Sequence, residues 1–251
     1  MSARREDDAS RWWKRLGREP APRARVFFFP HAGGSAGAYA EWRALLPEAV
    51  ELCLLQLPGR AERTGEEPCT RLEDFLPSLV RASLPLLDRR YVFIGHSMGA
   101  LVAYELLQAL ACFGVPPPEA LFVSAFRAPS LPPREPLLSR LPSNELREVI
   151  TALGGTPDAV LADPELLESY LPVIRADFRL CEDYRFRAAP VLDIPIVALR
   201  GRSDDRVSES EIVPWRELTS ASFRSLSFPG DHFYLRRARL AVAHELGAVL
   251  S

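Results

Sequence analysis

One serine in this chain stands where its hydroxyl would be exposed to attack an acyl carbon. Gly95-His96-Ser97-Met98-Gly99 follows an apolar, β-rich run at 91–94 and opens a helical pattern at 98–112. A serine held on so sharp a strand-to-helix turn needs flanking glycines, because larger side chains would collide with neighbouring backbone. The same turn sets Ser97 at a helix N-terminus, where free N–H groups favour a developing negative charge. The five-residue pattern is weak alone, and its placement between strand and helix is what gives it meaning.

A serine hydroxyl attacks poorly until a base removes its proton, and that base works best with a carboxylate fixing its tautomer. The chain has four histidines. His96 is too close to the nucleophile in sequence to approach it, His244 falls in the closing helix with a surface position expected, and His31 lies just after the first strand. His232, in Gly230-Asp231-His232-Phe233 between the last strand and the last helix, is the expected base. The order Ser, Asp, His asks for a carboxylate after a strand between 97 and 232. The segment 196–207 offers Asp204 and Asp205, and Asp204 is preferred because Gly201 supplies a turn and Val207 an anchor on the far side. No carboxylate occurs from 121 to 134, which excludes an acid after that earlier strand. Two N–H donors must face the oxyanion. Met98, next to the nucleophile, is one. The loop Pro30-His31-Ala32-Gly33-Gly34-Ser35 supplies the other, with Ala32 chosen and Gly33 second.

These residues need a scaffold, and the chain alternates short β-rich runs with helical patterns, the signature of a mostly parallel sheet covered on both faces. Strands are expected at 26–29, 52–57, 91–94, 121–124, 194–199 and 223–228, and a closing helix at about 238–250. Thr70 and Glu73 form a capping-box pattern for a helix whose regularity Pro77 and Pro85 disturb. Between 126 and 189 the strand signals stop and helix signals take over, as expected for a lid over the sheet's carboxyl edge, a static covering layer being the alternative. The expected division is a flexible N-terminal arm at 1–22, with Trp12 and Trp13 as anchors, then one α/β-hydrolase domain at 23–251 with a lid insertion at approximately 127–189.

Composition narrows the partners. With 31 basic residues scattered among 33 acidic ones and a net charge of -2, no basic block exists to neutralise a run of phosphates, and nucleic acid is excluded as a partner. Cys53, Cys69, Cys112 and Cys181 lie far apart without metal-ligand spacing and read as buried reduced thiols. No metal or cofactor is expected. The polar first 22 residues lack a signal-peptide core, and no apolar run reaches the ~20 residues of a membrane helix. The expectation is a cytoplasmic monomer with no membrane association.

The motifs together resemble the type II thioesterases that accompany polyketide synthases and nonribosomal peptide synthetases. The resemblance runs from about 27 to 250 on FFPHAGGSAGAY at 28–39, LPGRAER at 57–63, GHSMGALVAYEL at 95–106, VSAFRAPS at 123–130, the segment 153–184, LRGRSDDRVSESE at 199–211 and GDHFYL at 230–235. It implies an editing hydrolase that removes stalled or aberrant acyl groups from the phosphopantetheine arm of acyl or peptidyl carrier proteins through an acyl-serine, with the acid in the loop of Asp204. Offloading type I thioesterases resemble the chain less, since they usually carry the acid where this sequence has Ala125-Phe126-Arg127. Two residues depart from the family pattern: Asp231, where glycine is common and an anion would bear on His232, and Phe126, where a polar residue is frequent. Alternatives are a medium-chain fatty-acyl thioesterase, a carboxylester hydrolase, or a non-catalytic carrier-binding module. The acyl pocket is expected among apolar residues of 137–184, and Arg60, Arg63 and Arg127 are candidates for the carrier's acidic surface, ordinary solvated charge being the plainer reading.

Overall fold

The central strands of the scaffold are buried along their length. Ala24–Phe29 (β2), Val50–Leu55 (β3) and Ala120–Ser124 (β5) are buried at every residue, as strands covered on both faces must be. Successive side chains point to opposite faces, so Phe27 and Phe29 join one core layer while Val26 and Phe28 join the other. The computed structural model describes residues 9–132, 134 and 136–250. With Trp13–Leu16 (β1), Arg90–His96 (β4), Ile196–Gly201 (β6) and Phe223–Phe228 (β7), the strands form one seven-stranded sheet in the order β1-β3-β2-β4-β5-β6-β7. Every pairing is parallel except β1 with β3.

The first strand corrects the expected arm at 1–22. Trp13 pairs with Leu55, and its indole N–H donates to Ser83 Oγ at 3.1 Å. Trp12 is buried under the Arg63 guanidinium. Polar composition hid this edge strand, in which Lys14 and Arg15 meet Glu62 and Glu51 and keep an edge from pairing with other chains. The part of the arm at 1–8 lies outside the described residues.

Helices fill the crossovers. Leu72–Ser83 (α1) begins after Arg71 with no side-chain cap, so the Thr70/Glu73 capping box does not form, and the helix continues through Pro77. Met98–Leu110 (α2) runs from the nucleophile position through the first core layer. The region at 127–189 contains Ser143–Leu153 (α3), Asp158–Leu161 (α4) and the long Pro164–Asp183 (α5). Asp163 caps α5, accepting from the N–H groups of Glu165 and Leu166. Leu146 and Ile150 of α3 pack on Leu171 and Ile174 of α5 as a small core of their own, above the carboxyl ends of the strands. Glu209–Ile212 (α6) follows β6, and Leu235–Leu250 (α7) closes the chain with His244 exposed. The four cysteines are free, but only Cys53 is buried: Cys69 and Cys181 are half-buried and Cys112 is exposed, against the expectation of four buried thiols. Among the described residues no helix is long and apolar enough to cross a membrane.

Candidate active site

The turn between β4 and α2 holds Ser97 at φ 54° and ψ −125°, a conformation that strains a residue with a Cβ. Its N–H donates to the Ser124 carbonyl at 2.7 Å, tying the turn to β5. Both flanking glycines are forced by close backbone approach. A Cβ on Gly95 would stand 2.2 Å from the Gly99 carbonyl oxygen, and one on Gly99 would stand 2.0 Å from that of Phe29.

The structure brings Ser97, His232 and Asp204 into one hydrogen-bonded line. His232 Nε2 is 3.0 Å from Ser97 Oγ, and His232 Nδ1 is 3.0 Å from Asp204 Oδ2. Asp204 Oδ1 accepts the N–H groups of Arg206 at 2.9 Å and Val207 at 3.2 Å. With the other oxygen facing Nδ1, the carboxylate accepts the Nδ1–H hydrogen bond, which keeps the ring proton on Nδ1 and leaves the Nε2 lone pair toward the serine hydroxyl. The Asp204 side chain is fully buried, whereas Asp205 is exposed and takes no part. Gly201 does more than turn the chain, since a Cβ there would meet the Asp231 carbonyl oxygen at 2.1 Å. The absent side chain lets the acid loop and the base loop touch, and the Ser203 N–H then reaches the Gly230 carbonyl at 2.9 Å. Asp231 is exposed, and its carboxylate accepts the Phe233 N–H at 2.8 Å, which makes it a local cap.

Of the two donors considered in the first loop, Gly33 is already engaged, giving its N–H to Asp177 Oδ2 at 2.7 Å. Ala32 has no hydrogen-bond partner for its N–H among the described residues. Ala32 and Met98 line the same cavity of about 310 Å³ as Ser97 and His232. Its walls are largely apolar, with Ile150 and Leu153 of α3, Ile174 and Phe178 of α5, and Phe126 and Val207 of the loops after β5 and β6, and Arg134, Glu182 and Arg206 also line it. Arg127 lines this cavity, half-buried, with Glu211 3.3 Å away.

The other two sequence-singled arginines are structural. Arg60 is buried in a bidentate pair with Asp177 of α5, at 2.5 and 2.8 Å, and also donates to the Gly34 carbonyl. Arg63 is buried against Glu66 and the Gln56 carbonyl. Neither reaches a partner's surface; the apolar cover that α5 places over the sheet is what removes Arg60 from solvent, and no local pattern announces it. His96 is likewise structural in position: Nδ1 lies 2.9 Å from Ser124 Oγ, which in turn lies 2.7 Å from the Tyr234 hydroxyl. Burial, with the charges of His232, Arg236 and Arg60, pushes His31 down to about 3, and burial beside His232 and His31 holds His96 well below the ordinary histidine range. Both rings are therefore neutral beside His232.

A mostly parallel sheet carrying a Ser-His-Asp line at its carboxyl edge defines an α/β-hydrolase. The thioesterase domain family matches residues 24–250, and the chain belongs to that family. It is 35% identical over 230 residues to the gramicidin S biosynthesis protein GrsT of Aneurinibacillus migulanus, covering 92% of this chain and 90% of the relative. Among solved structures it is similar to the RedJ thioesterase of the prodiginine pathway in Streptomyces coelicolor, with 36% identity, a TM-score of 0.87 and 93% of each chain covered. It is also similar to the type II thioesterase BorB from the borrelidin cluster, with 34% identity, a TM-score of 0.88, and coverage of 96% of this chain and 98% of that one.

Proposed function

We propose that this thioesterase edits a biosynthetic assembly line, hydrolysing stalled or aberrant acyl groups from the phosphopantetheine arm of acyl or peptidyl carrier proteins. The observation that carries the reading is the Ser97-His232-Asp204 line opening into an apolar cavity of about 310 Å³. Its relatives support the choice of substrate, since GrsT is named for gramicidin S biosynthesis and BorB as a type II thioesterase.

In the proposed cycle His232 Nε2 takes the Ser97 hydroxyl proton as Oγ attacks the thioester carbon. The oxyanion sits against the N–H groups of Met98 and Ala32. Collapse breaks the carbon–sulfur bond, and His232 gives its proton to the departing thiolate. Water then attacks the acyl-serine, again deprotonated by His232, and the carbon–oxygen bond to Ser97 breaks as the proton returns to Oγ. Asp204, uncharged in neither step, keeps Nδ1 protonated and steadies the imidazolium. The helices α3 to α5 act as the lid, roofing the acyl chain with Ile150, Leu153, Ile174 and Phe178. No cofactor takes part, the substrate bringing its own phosphopantetheine, and the enzyme works as a cytoplasmic monomer.

Parallel hydrolysis assays on acylated carrier protein, the matching acyl-CoA and the matching p-nitrophenyl ester test the proposal. The highest kcat/KM is expected on the carrier protein. Preference for acyl-CoA would favour a fatty-acyl thioesterase, preference for the oxygen ester a carboxylester hydrolase, and tight carrier binding without turnover a non-catalytic module.

A further inference from the structure

A second cavity of about 230 Å³ adjoins the loop that carries Ala32. Tyr39, Trp42, Tyr170 and Leu235 give it an apolar lining, and the exposed ion pair of Arg239 with Glu41, at 2.5 Å, stands at its edge. Six residues line both this cavity and the acyl cavity: His31, Ala32, Gly155, Thr156, Ile174 and Phe233. They form a wall one residue thick, and two glycines let it close. Gly33 leaves room for Ile174, since a Cβ there would stand 2.8 Å from Ile174 Cγ1, and Gly155 leaves room for Phe233, since a Cβ there would stand 2.2 Å from Phe233 Cζ. Arg236 Nη2 donates to the Gly155 carbonyl at 2.9 Å and holds that loop against the ring.

The acyl cavity is unequal along its walls. The wall shared with the second cavity is apolar at Ile174 and Phe233 and includes the oxyanion donor Ala32, whereas Arg127, Arg134, Arg206 and Glu182 line the acyl cavity alone. A thioester at Ser97 carries two arms, an acyl chain and a phosphorylated pantetheine. Burying aliphatic carbon is favourable, and burying a phosphate without a counter-charge is not. The chain therefore turns toward the shared wall and the polar arm toward the arginines. Within that wall Phe233 is held between the rings of His31 and His96, at 4.8 and 5.3 Å, and follows the base directly. His31 Nδ1 lies 2.6 Å from the Tyr39 hydroxyl. Ile174 is the wall's one large aliphatic side chain, buried with Leu146, Ile150 and Leu171 and engaged in no catalytic contact.

We propose that Ile174 is the chain-length stop of the enzyme, closing the acyl cavity against a second apolar space and confining the substrate to acyl groups short enough to end before it. The inference rests on the acyl-serine cycle proposed above and names the acyl class that this cycle accepts. A methylene housed in an apolar pocket is worth about tenfold or more in kcat/KM, and one without room forfeits that gain. Apolar volume for a longer chain exists beyond the wall, and the Ile174 side chain, seated on Gly33, keeps the chain out of it.

Straight-chain acyl-N-acetylcysteamine thioesters from acetyl to dodecanoyl are assayed with the full-length parent, Ile174→Ala, Ile174→Val, Ala38→Trp and the double variant Ile174→Ala, Ala38→Trp. Ala38 lines the second cavity and not the first. Ile174→Ala is expected to raise the decanoyl-to-butanoyl ratio of kcat/KM about 10²-fold, two newly housed methylenes at about tenfold each. Ile174→Val, which removes one methyl group and guards against loss of the fold, should move the ratio the same way by a smaller step. Ala38→Trp alone should leave the parent's profile unchanged, because the wall is closed, and in the double variant it should fill the second cavity and return the ratio toward the parent's. An unchanged ratio in both Ile174 variants, a raised ratio that Ala38→Trp does not lower, or a profile altered by Ala38→Trp alone overturns the stop. Hydrolysis of the short thioesters by the parent, with an acyl group detected on Ser97 by intact mass, tests the underlying cycle separately, so the two failures are distinguishable.

Discussion

Asp177 shows how the cover over the sheet and the loop at the oxyanion depend on one another. Its side chain and that of Arg60 are 1% and 2% exposed. Oδ2 accepts both the Gly33 N–H and an Arg60 N–H, while Oδ1 accepts the second arm of the guanidinium. Replacing Asp177 with asparagine keeps the shape, removes the charge and turns an N–H₂ group toward groups that are themselves donors. Removing one member of a buried pair costs about 3–5 kcal/mol, because the other charge stays buried without a counter-charge. In a chain of 251 residues that corresponds to a fall in Tm of about 6–20 °C. The loop that presents the Ala32 N–H loses its anchor one residue away, and loss of one oxyanion donor costs about 10²–10³ in kcat. Scanning calorimetry and steady-state hydrolysis of an acyl thioester measure the two effects. The double variant Arg60→Met, Asp177→Leu should recover most of the stability, since apolar groups of similar volume replace buried ion pairs well, but should leave kcat low because Gly33 still lacks its acceptor. A Tm within about 2 °C of the parent, with unchanged kcat, for Asp177→Asn would refute the reasoning.

Other outcomes follow from the same geometry. Gly201→Ala should lower kcat/KM about 10²-fold, because its Cβ would lie 2.1 Å from the Asp231 carbonyl oxygen and part the acid from the base by a fraction of an ångström or more; Gly247→Ala, in the closing helix with open space around it, should instead raise stability by about 0.5–1 kcal/mol in urea denaturation. His31 and His96 stay neutral in the folded protein and take up protons when it unfolds. Folding stability is therefore retained above about 6.5 and falls as pH drops toward about 3, by about 2 kcal/mol per histidine between pH 7 and pH 5. Urea titrations at the two pH values check the sign, and a stability that rises on acidification would contradict it.

Much of this arrangement was legible in the sequence because it is local. The run 91–94 ahead of Gly95 and the helix pattern after Met98 determine the nucleophile turn over a dozen residues, and β7 begins and ends at the expected Phe223 and Phe228. The choice of Asp204 over Asp205 rested on Gly201, and the structure adds that this glycine works by close approach to a loop 30 residues later. What escaped was long-range. The four residues of β1 are too short and too polar for a period to show, and only their pairing with β3 reveals them. Arg60 reads as an ordinary surface charge until α5 brings Asp177 from 117 residues away. The Thr70/Glu73 pattern had the right chemistry for a helix start, but the helix begins one residue too late to use it.

The most direct measurement is the release of an acyl group from a phosphopantetheinylated carrier protein by the parent enzyme and by Ser97→Ala, at equal concentrations and in the same preparation. Loss of turnover on the order of 10⁶-fold in the variant, with carrier binding retained, is the expected result. Hydrolysis by Ser97→Ala at a rate near the parent's would contradict the account.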